Sequence, residues 1–268
     1  MNESLLDRSY AALLAGARKV STSDLYNENG YAPKWEDNLM NGLPLAEIKR
    51  DFENGAGQEL EGKLRAAHSS AALAVNAFGP WRTAAASLHF AGKSGFRSLQ
   101  FEATCPTGLG GTPPHLDLLA EADLPVAVES KCTEWMKPKE AKFARSYDTL
   151  RPCHGHSPWF KQMQQLRKAP DRYRFLDAAQ LIKHAFGLMS RYGTQPVRLV
   201  YLYWEPRNEG DWSECGKHRA EAADLSAKVN GASVQLTPMS YRDLWAERER
   251  HGSPKHMQYL RTRYDLEA

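Results

Sequence analysis

The sequence has no apolar run of membrane-spanning length, no CxxC pair and no internal repeat. Each absence excludes something. A transmembrane helix needs about 20 consecutive apolar residues, so no helical span is expected. The cysteines stand at 105, 132, 153 and 215, too scattered for a disulfide framework. Cys153-x-x-His156 and Cys215-x-x-His218 look zinc-like, but 58 residues separate the pairs. Structural zinc sites are spaced more tightly, so zinc is not expected. "GLGG" (108–111) lacks the Lys-Ser/Thr that follows in a phosphate-binding P-loop; it reads as a flexible turn. The first twenty residues carry Glu3 and Asp7 and no long apolar stretch. Neither a signal peptide nor a membrane anchor is expected there, and a soluble cytoplasmic protein is the default.

What is present suits one globular α/β domain with helical additions. Hydrophobic residues make up 42% and charged residues 25% of 268, an ordinary balance and enough for a sizeable core. The net charge of +3 is unevenly spread. Residues 137–174 hold ten Lys or Arg and three acids, interleaved with Phe143, Tyr147, Trp159, Phe160 and Tyr173. A basic stretch with aromatics suits a phosphate backbone. Taken alone, it is better read as a solvated helical face.

Along the chain, residues 4–19 read as an amphipathic helix, 21–43 as a loop and 44–52 as a short helix. Leu60, Leu64, Ala67, Ala71 and Ala74 recur at three- and four-residue intervals, so 58–78 reads as a strong helix. A further helical piece is expected over 81–92. "FRSLQFEA" (96–103) alternates as a strand does. Residues 139–168 read as mainly helical, broken near Pro152, with Ser157-Pro158 as a helix start. A helix over 177–193 closes at Gly193. "VRLVYLYWEP" (197–206) is an apolar strand of the kind buried on both faces; its Trp and Tyr read as core. A charged helix near 217–230, a strand at "ASVQLTP", a Ser240-capped helix and a helical tail complete the order.

The stretch "HLDLLAEADLPVAVESK" (115–131) departs from simple patterning. It reads as two apolar strands joined by a turn around Ala122–Pro125, so they should be antiparallel neighbours. Yet it carries Asp117, Glu129 and Lys131, and a buried charge is costly unless paired. Side chains alternate across a strand, so Glu129 and Lys131 share a face, and the antiparallel strand brings Asp117 beside them. Two adjacent carboxylates repel unless a cation sits between them. Mg²⁺ takes one or two carboxylates with waters and substrate phosphate, and Mn²⁺ is a substitute. Lys131 would orient or deprotonate an attacking water, or stabilise charge developing on phosphate. The competing reading is a salt bridge on a half-exposed strand. His115 reads as a strand-edge histidine, and Glu102 and Glu134 equally as outer partners of the site or as structural ion pairs.

With these residues in place, the chain resembles the PD-(D/E)xK nuclease superfamily, the fold of many restriction endonucleases. "FEATCPTGLGGTPPHLDLL", "VESKCTE" and "AQLIKHAFGL" resemble, more narrowly, a bacterial family of restriction endonuclease-type proteins. The resemblance spans residues 55–205 and implies a restriction-endonuclease-like αβββαβ core. The N-terminal helical extension would be 1–54 and a helix-strand-helix addition 206–268. It implies metal ligands at Asp117 and Glu129, a catalytic Lys131, and an acid on the first core helix. Glu59 and Glu61 both fall there and, two apart, would point about 200° from each other; Glu59 is preferred. Gln180 matches the Gln of a Q-x-x-x-Y element, with His184 in place of Tyr, and Pro114 lies three residues before Asp117. The implied activity is Mg²⁺-dependent hydrolysis of phosphodiesters, with double-stranded DNA as partner and a homodimer as a possible assembly. The rival reading is a non-catalytic DNA-binding or assembly protein on the same fold.

Overall fold

Three antiparallel strands and two parallel ones form a single mixed sheet in the computed structural model, which describes residues 3–21, 25–55, 59–250 and 254–268. The strands are β1 (Ser98–Thr104), β2 (His115–Glu121), β3 (Val126–Lys131), β4 (Val197–Tyr203) and β5 (Val234–Ser240), adjacent in chain order. β1, β2 and β3 pair antiparallel; β3, β4 and β5 run parallel. The hairpin expected over 115–131 is present, with Leu118 opposite Val128 and Ala120 opposite Val126. β4, flanked on both sides, is the buried apolar strand its sequence suggests.

Before the sheet come α1 (Leu5–Val20), α2 (Leu45–Asn54) and α3 (Ser70–Phe78); between β3 and β4 come α4 (Arg151–His154), α5 (Pro158–Lys168) and α6 (Ala178–Tyr192). α7 (Ser213–Lys228) precedes β5, and α8 (Tyr241–Glu249) and α9 (Pro254–Tyr264) follow it. The expected caps at Ser157, Gly193 and Ser240 are found: Ser157 caps α5 ahead of Pro158, Gly193 closes α6, and Ser240 forms a capping box with Asp243. Asp177, read as the first residue of its helix, is instead the N-cap of α6.

Three helical expectations are corrected. The expected helix over 58–78 starts only at Ser70. Gln58 lies outside the described residues, and 63–65 form a single 3₁₀ turn. Gly62, at φ −113° and ψ −106°, is outside the helical region, and Ser69 accepts from the Ala72 amide as an N-cap. The apolar spacing at Leu60, Leu64 and Ala67 is satisfied by buried turns. Residues 81–92 likewise form no α-helix. Two 3₁₀ turns, Gly79–Trp81 and Ala85–Ser87, bury Leu88 and Phe90 separately. Within 139–168, Lys139 and Ala141 bond outward to Arg174 and Pro170, so this part is extended rather than helical. Pro152 sits in the first turn of α4 instead of breaking a helix.

Strand alternation divides the helices between the two sheet faces. Ser130 Oγ meets the Ser70 carbonyl of α3 and Tyr241 Oη of α8. Glu129, on the opposite face, meets His184 of α6. The two chain ends interlock. A Cβ at Gly16 of α1 would lie 2.2 Å from the Arg263 carbonyl of α9, so only glycine permits this approach. Buried Arg263 donates to Tyr26 Oη and Asn38 Oδ1, and Asn76 of α3 donates to Tyr264 Oη at 2.8 Å. No described helix is long and apolar enough to cross a membrane.

Candidate functional site

The strand register lays a row of acids across the sheet. Glu129 pairs with Tyr201 of β4, and one step beyond the Leu118–Val128 pair Asp117 stands opposite Glu129. Glu102 of β1 falls between the Phe101–Leu118 and Ala103–Leu116 pairs, across from Asp117. Like charges opposite one another in a sheet are destabilising, so this row calls for compensation. Glu102 also has φ +48°. A non-glycine residue there costs on the order of 1–3 kcal/mol and is typical of functional sites.

Lys131 and His184 supply part of the compensation. Lys131 Nζ is ion-paired with Glu129 Oε1, and His184 Nε2 lies 2.7 Å from Glu129 Oε2. The side chains of Glu129 and His184 are 1% exposed and that of Lys131 11%, so the pairing occurs away from bulk solvent. Burial pushes the Glu129 carboxyl up, but Lys131 and His184 outweigh it and hold the group well below its ordinary range. Burial likewise works against the Lys131 ammonium; Glu129, Glu134 and Asp117 overcome it and raise its pKa. The other acids lack such partners. Asp117 is raised well above its ordinary value by burial and by Glu129 and Glu102, although its Oδ2 accepts from the Ser130 amide at 2.7 Å. Glu102 is pushed to about 8 by burial, then by Glu59 and Glu129.

These groups form the floor of a cavity of about 790 Å³. Glu59, Lys63, His68 and Ser69 wall it from the segment before α3, and Gln180, Lys183 and His184 from α6. Pro114 and His115 enter from the start of β2, Glu134, Lys137 and Lys139 from the chain after β3, and Tyr10 from α1. The structure therefore brings together Asp117, Glu129, Lys131, Glu59 and Gln180. Glu59 does so from a turn and not from a helix, so the argument from opposed helix faces falls away; Glu61 is exposed and outside the cavity. His184 takes up the residue position where the resemblance has Tyr, and it contacts Glu129 directly. Glu134 Oε2 accepts from the Cys132 amide at 2.7 Å, which holds the chain just past Lys131. His115, read as an edge histidine, lines the cavity with Nδ1 buried.

The basic 137–174 segment is less uniform than its composition. Trp159, Phe160 and Tyr173 are core residues, and Trp159 Nε1 donates to the Val234 carbonyl. Lys139, Arg167 and Arg172 pair with Asp177, Asp148 and Asp224. Lys137 remains at the cavity, and Lys142 and Lys161 are exposed. The zinc-like pairs do not converge: Cys153 is exposed, while buried His218 bonds Tyr201 Oη and stacks on Trp135.

Among the described residues, no group of three or more His, Cys, Asp or Glu side chains is arranged to hold a metal ion. Magnesium does not require one, since one or two carboxylates with waters and phosphate suffice. The crowding at Asp117 and Glu102 is the condition a divalent cation would relieve, and an all-oxygen donor set suits a hard cation.

A protein-family model described as restriction endonuclease associating with ARP matches residues 12–265. No curated protein and no solved structure matches the chain. The match spans nearly the whole sequence, and the chain belongs to this restriction endonuclease family. The five-stranded mixed sheet with its flanking helices is a restriction-endonuclease-like fold.

Proposed function

We propose that this member of the restriction endonuclease family is a metal-dependent nuclease that hydrolyses phosphodiester bonds in DNA. One observation carries the reading. Three carboxylates, Glu102, Asp117 and Glu129, stand side by side on the floor of a cavity, and Lys131 and His184 are bound to only the last of them. A structural salt bridge needs one acid per base, and Lys131 and His184 both pair with Glu129, which leaves Asp117 and Glu102 without a basic partner in the row. The family assignment supports a nuclease-like role and contact with nucleic acid.

Asp117 and Glu129 would hold Mg²⁺, or Mn²⁺ in its place, with Glu102, across from Asp117 on β1, as a further oxygen donor. Once bound, the cation would acidify an attacking water and neutralise charge on the phosphate. Lys131 keeps its proton in this setting, so its role is to donate to oxygen where charge develops rather than to accept a proton. His184 fixes the Glu129 carboxylate, as an outer-shell partner fixes a ligand. Gln180, one turn before His184 on α6, and Glu59 line the same cavity. Lys63, Lys137 and Lys183 line the walls and would meet phosphate, making affinity salt-dependent.

Calorimetric titration with Mn²⁺ in the absence of nucleic acid tests the assignment. The wild type should bind weakly, and Asp117→Asn should lose the site. Equal binding by both proteins would overturn it.

A further inference from the structure

We propose that the strand to be cut enters the cavity unpaired, with a base lodged against Tyr10 and His68. The inference rests on the nuclease reading above and specifies the form in which its substrate reaches the acids. A volume of about 790 Å³ falls in the ~300–1,000 Å³ range of cavities that enclose small ligands. That suits a nucleotide and its neighbour. The cavity's walls come from α1, the 59–71 segment and α6.

The chemistry of the walls follows the chemistry of a single strand. The floor is acidic, where a phosphate and its cation would sit. Away from it, Tyr10 and His68 have ring centroids 4.1 Å apart with a 37° tilt, and Tyr31 meets His68 edge-on at 6.3 Å. All three line the cavity and are half-buried, so their rings are neither sealed in the core nor free on the surface. Lys137 Nζ lies 5.8 Å from the Tyr10 ring centroid, which places a cation beside the aromatic surface for the adjoining phosphate. Burial, opposed in part by Glu134, lowers the pKa of His68, which favours the uncharged ring. Aromatic surfaces flanked by cations are how proteins hold unpaired bases without reading sequence.

The shelf is tied to the acids. His68 is followed by Ser69 and Ser70, and the Ser70 carbonyl accepts from Ser130 Oγ, between Glu129 and Lys131 on β3. Tyr10 is delivered by α1, which α9 clamps at Gly16. The N-terminal helix thereby contributes to the site and is not merely packed behind it.

The test uses the full chain with Ca²⁺ replacing Mg²⁺, so that binding is measured without cutting. A short DNA oligonucleotide carrying 2-aminopurine is compared single-stranded and in a blunt duplex. Single-stranded DNA should bind at least about tenfold more tightly. Tyr10→Ala and His68→Ala should each weaken it by about tenfold, the scale of one lost base–aromatic stack, and reduce 2-aminopurine quenching. Duplex binding should not change, and Tyr10→Phe should retain both signals, which separates stacking from misfolding. Equal affinity for the two forms, or no effect of Tyr10→Ala, would overturn the inference. Cutting in Mg²⁺ is scored separately. Cleavage without strand preference leaves the nuclease reading intact and sinks this one; strand preference without cleavage does the reverse.

Discussion

His184 Nε2 of helix α6 and Glu129 Oε2 of strand β3 stand 2.7 Å apart, each side chain 1% exposed. Neither group has solvent to fall back on. Removing one partner of a buried polar pair leaves the other desolvated, at about 1–3 kcal/mol. His184→Ala should therefore lower unfolding free energy by roughly that amount, measured by urea denaturation at neutral pH. It should also slow cleavage, because Glu129 retains only Lys131 to hold it. An unchanged urea midpoint would mean that the contact is incidental.

Glu102 provides a pH test with a definite sign. Its folded-state pKa of about 8 lies above the ordinary 4.5. Below 4.5 the carboxyl is protonated in both states and carries no penalty. As pH rises towards 8, the unfolded chain ionises it freely and the folded chain resists, so stability is lost across that window. The slope approaches about 1.4 kcal/mol per pH unit for such a group. In EDTA at pH 8, Glu102→Gln should be more stable than wild type, with the gain vanishing towards pH 4.5. A mutant of equal stability at pH 8 would show that the acid row is not under electrostatic load.

The hairpin was legible because alternation, a turn and two short apolar strands specify one register, and that register places Asp117 beside Glu129. β4 was legible for a different reason: a short, β-branched and aromatic run interrupted only by Arg198 is the composition of a strand covered on both faces. The segments 58–69 and 81–92 were not legible as turns, since their apolar spacing matches a helix while tertiary burial holds each side chain separately. The resemblance marked the position of His184 but not its contact with Glu129, and Tyr10 was not legible as a site residue. Their partners are distant in sequence, and only the packing of α6 and α1 brings them to β3 and to His68. Glu102 could be seen on its strand, but its placement across from Asp117 required the observed register.

His218 offers a test away from the site. Burial, then the Arg219 charge, lowers its pKa to about 3, and its Nε2 lies 2.8 Å from Tyr201 Oη. The folded-state value is below the ordinary 6.5, so the contribution to stability is complete above 6.5 and is lost as pH falls towards 3. Over that window wild type should lose up to about 1.4 kcal/mol per pH unit to this group. His218→Gln, which does not titrate there, should show a shallower acid limb in unfolding free energy against pH. Parallel limbs would contradict the assignment.

The central claim rests on Lys131, whose ammonium sits beside Glu129 at the end of β3. Lys131→Met keeps most of the side-chain length and removes the charge. If the residue only balances Glu129, the change affects stability and leaves no mark on chemistry. If it stabilises charge developing on the phosphate, the loss falls on the rate, on the order of a hundredfold or more. DNA affinity should fall little, since one amine among many adds little to backbone binding. The decisive measurement is nicking of supercoiled plasmid in Mg²⁺ by folded, DNA-binding Lys131→Met protein beside wild type. The account predicts cutting by wild type and at least about hundredfold slower cutting by the mutant; equal rates would contradict it.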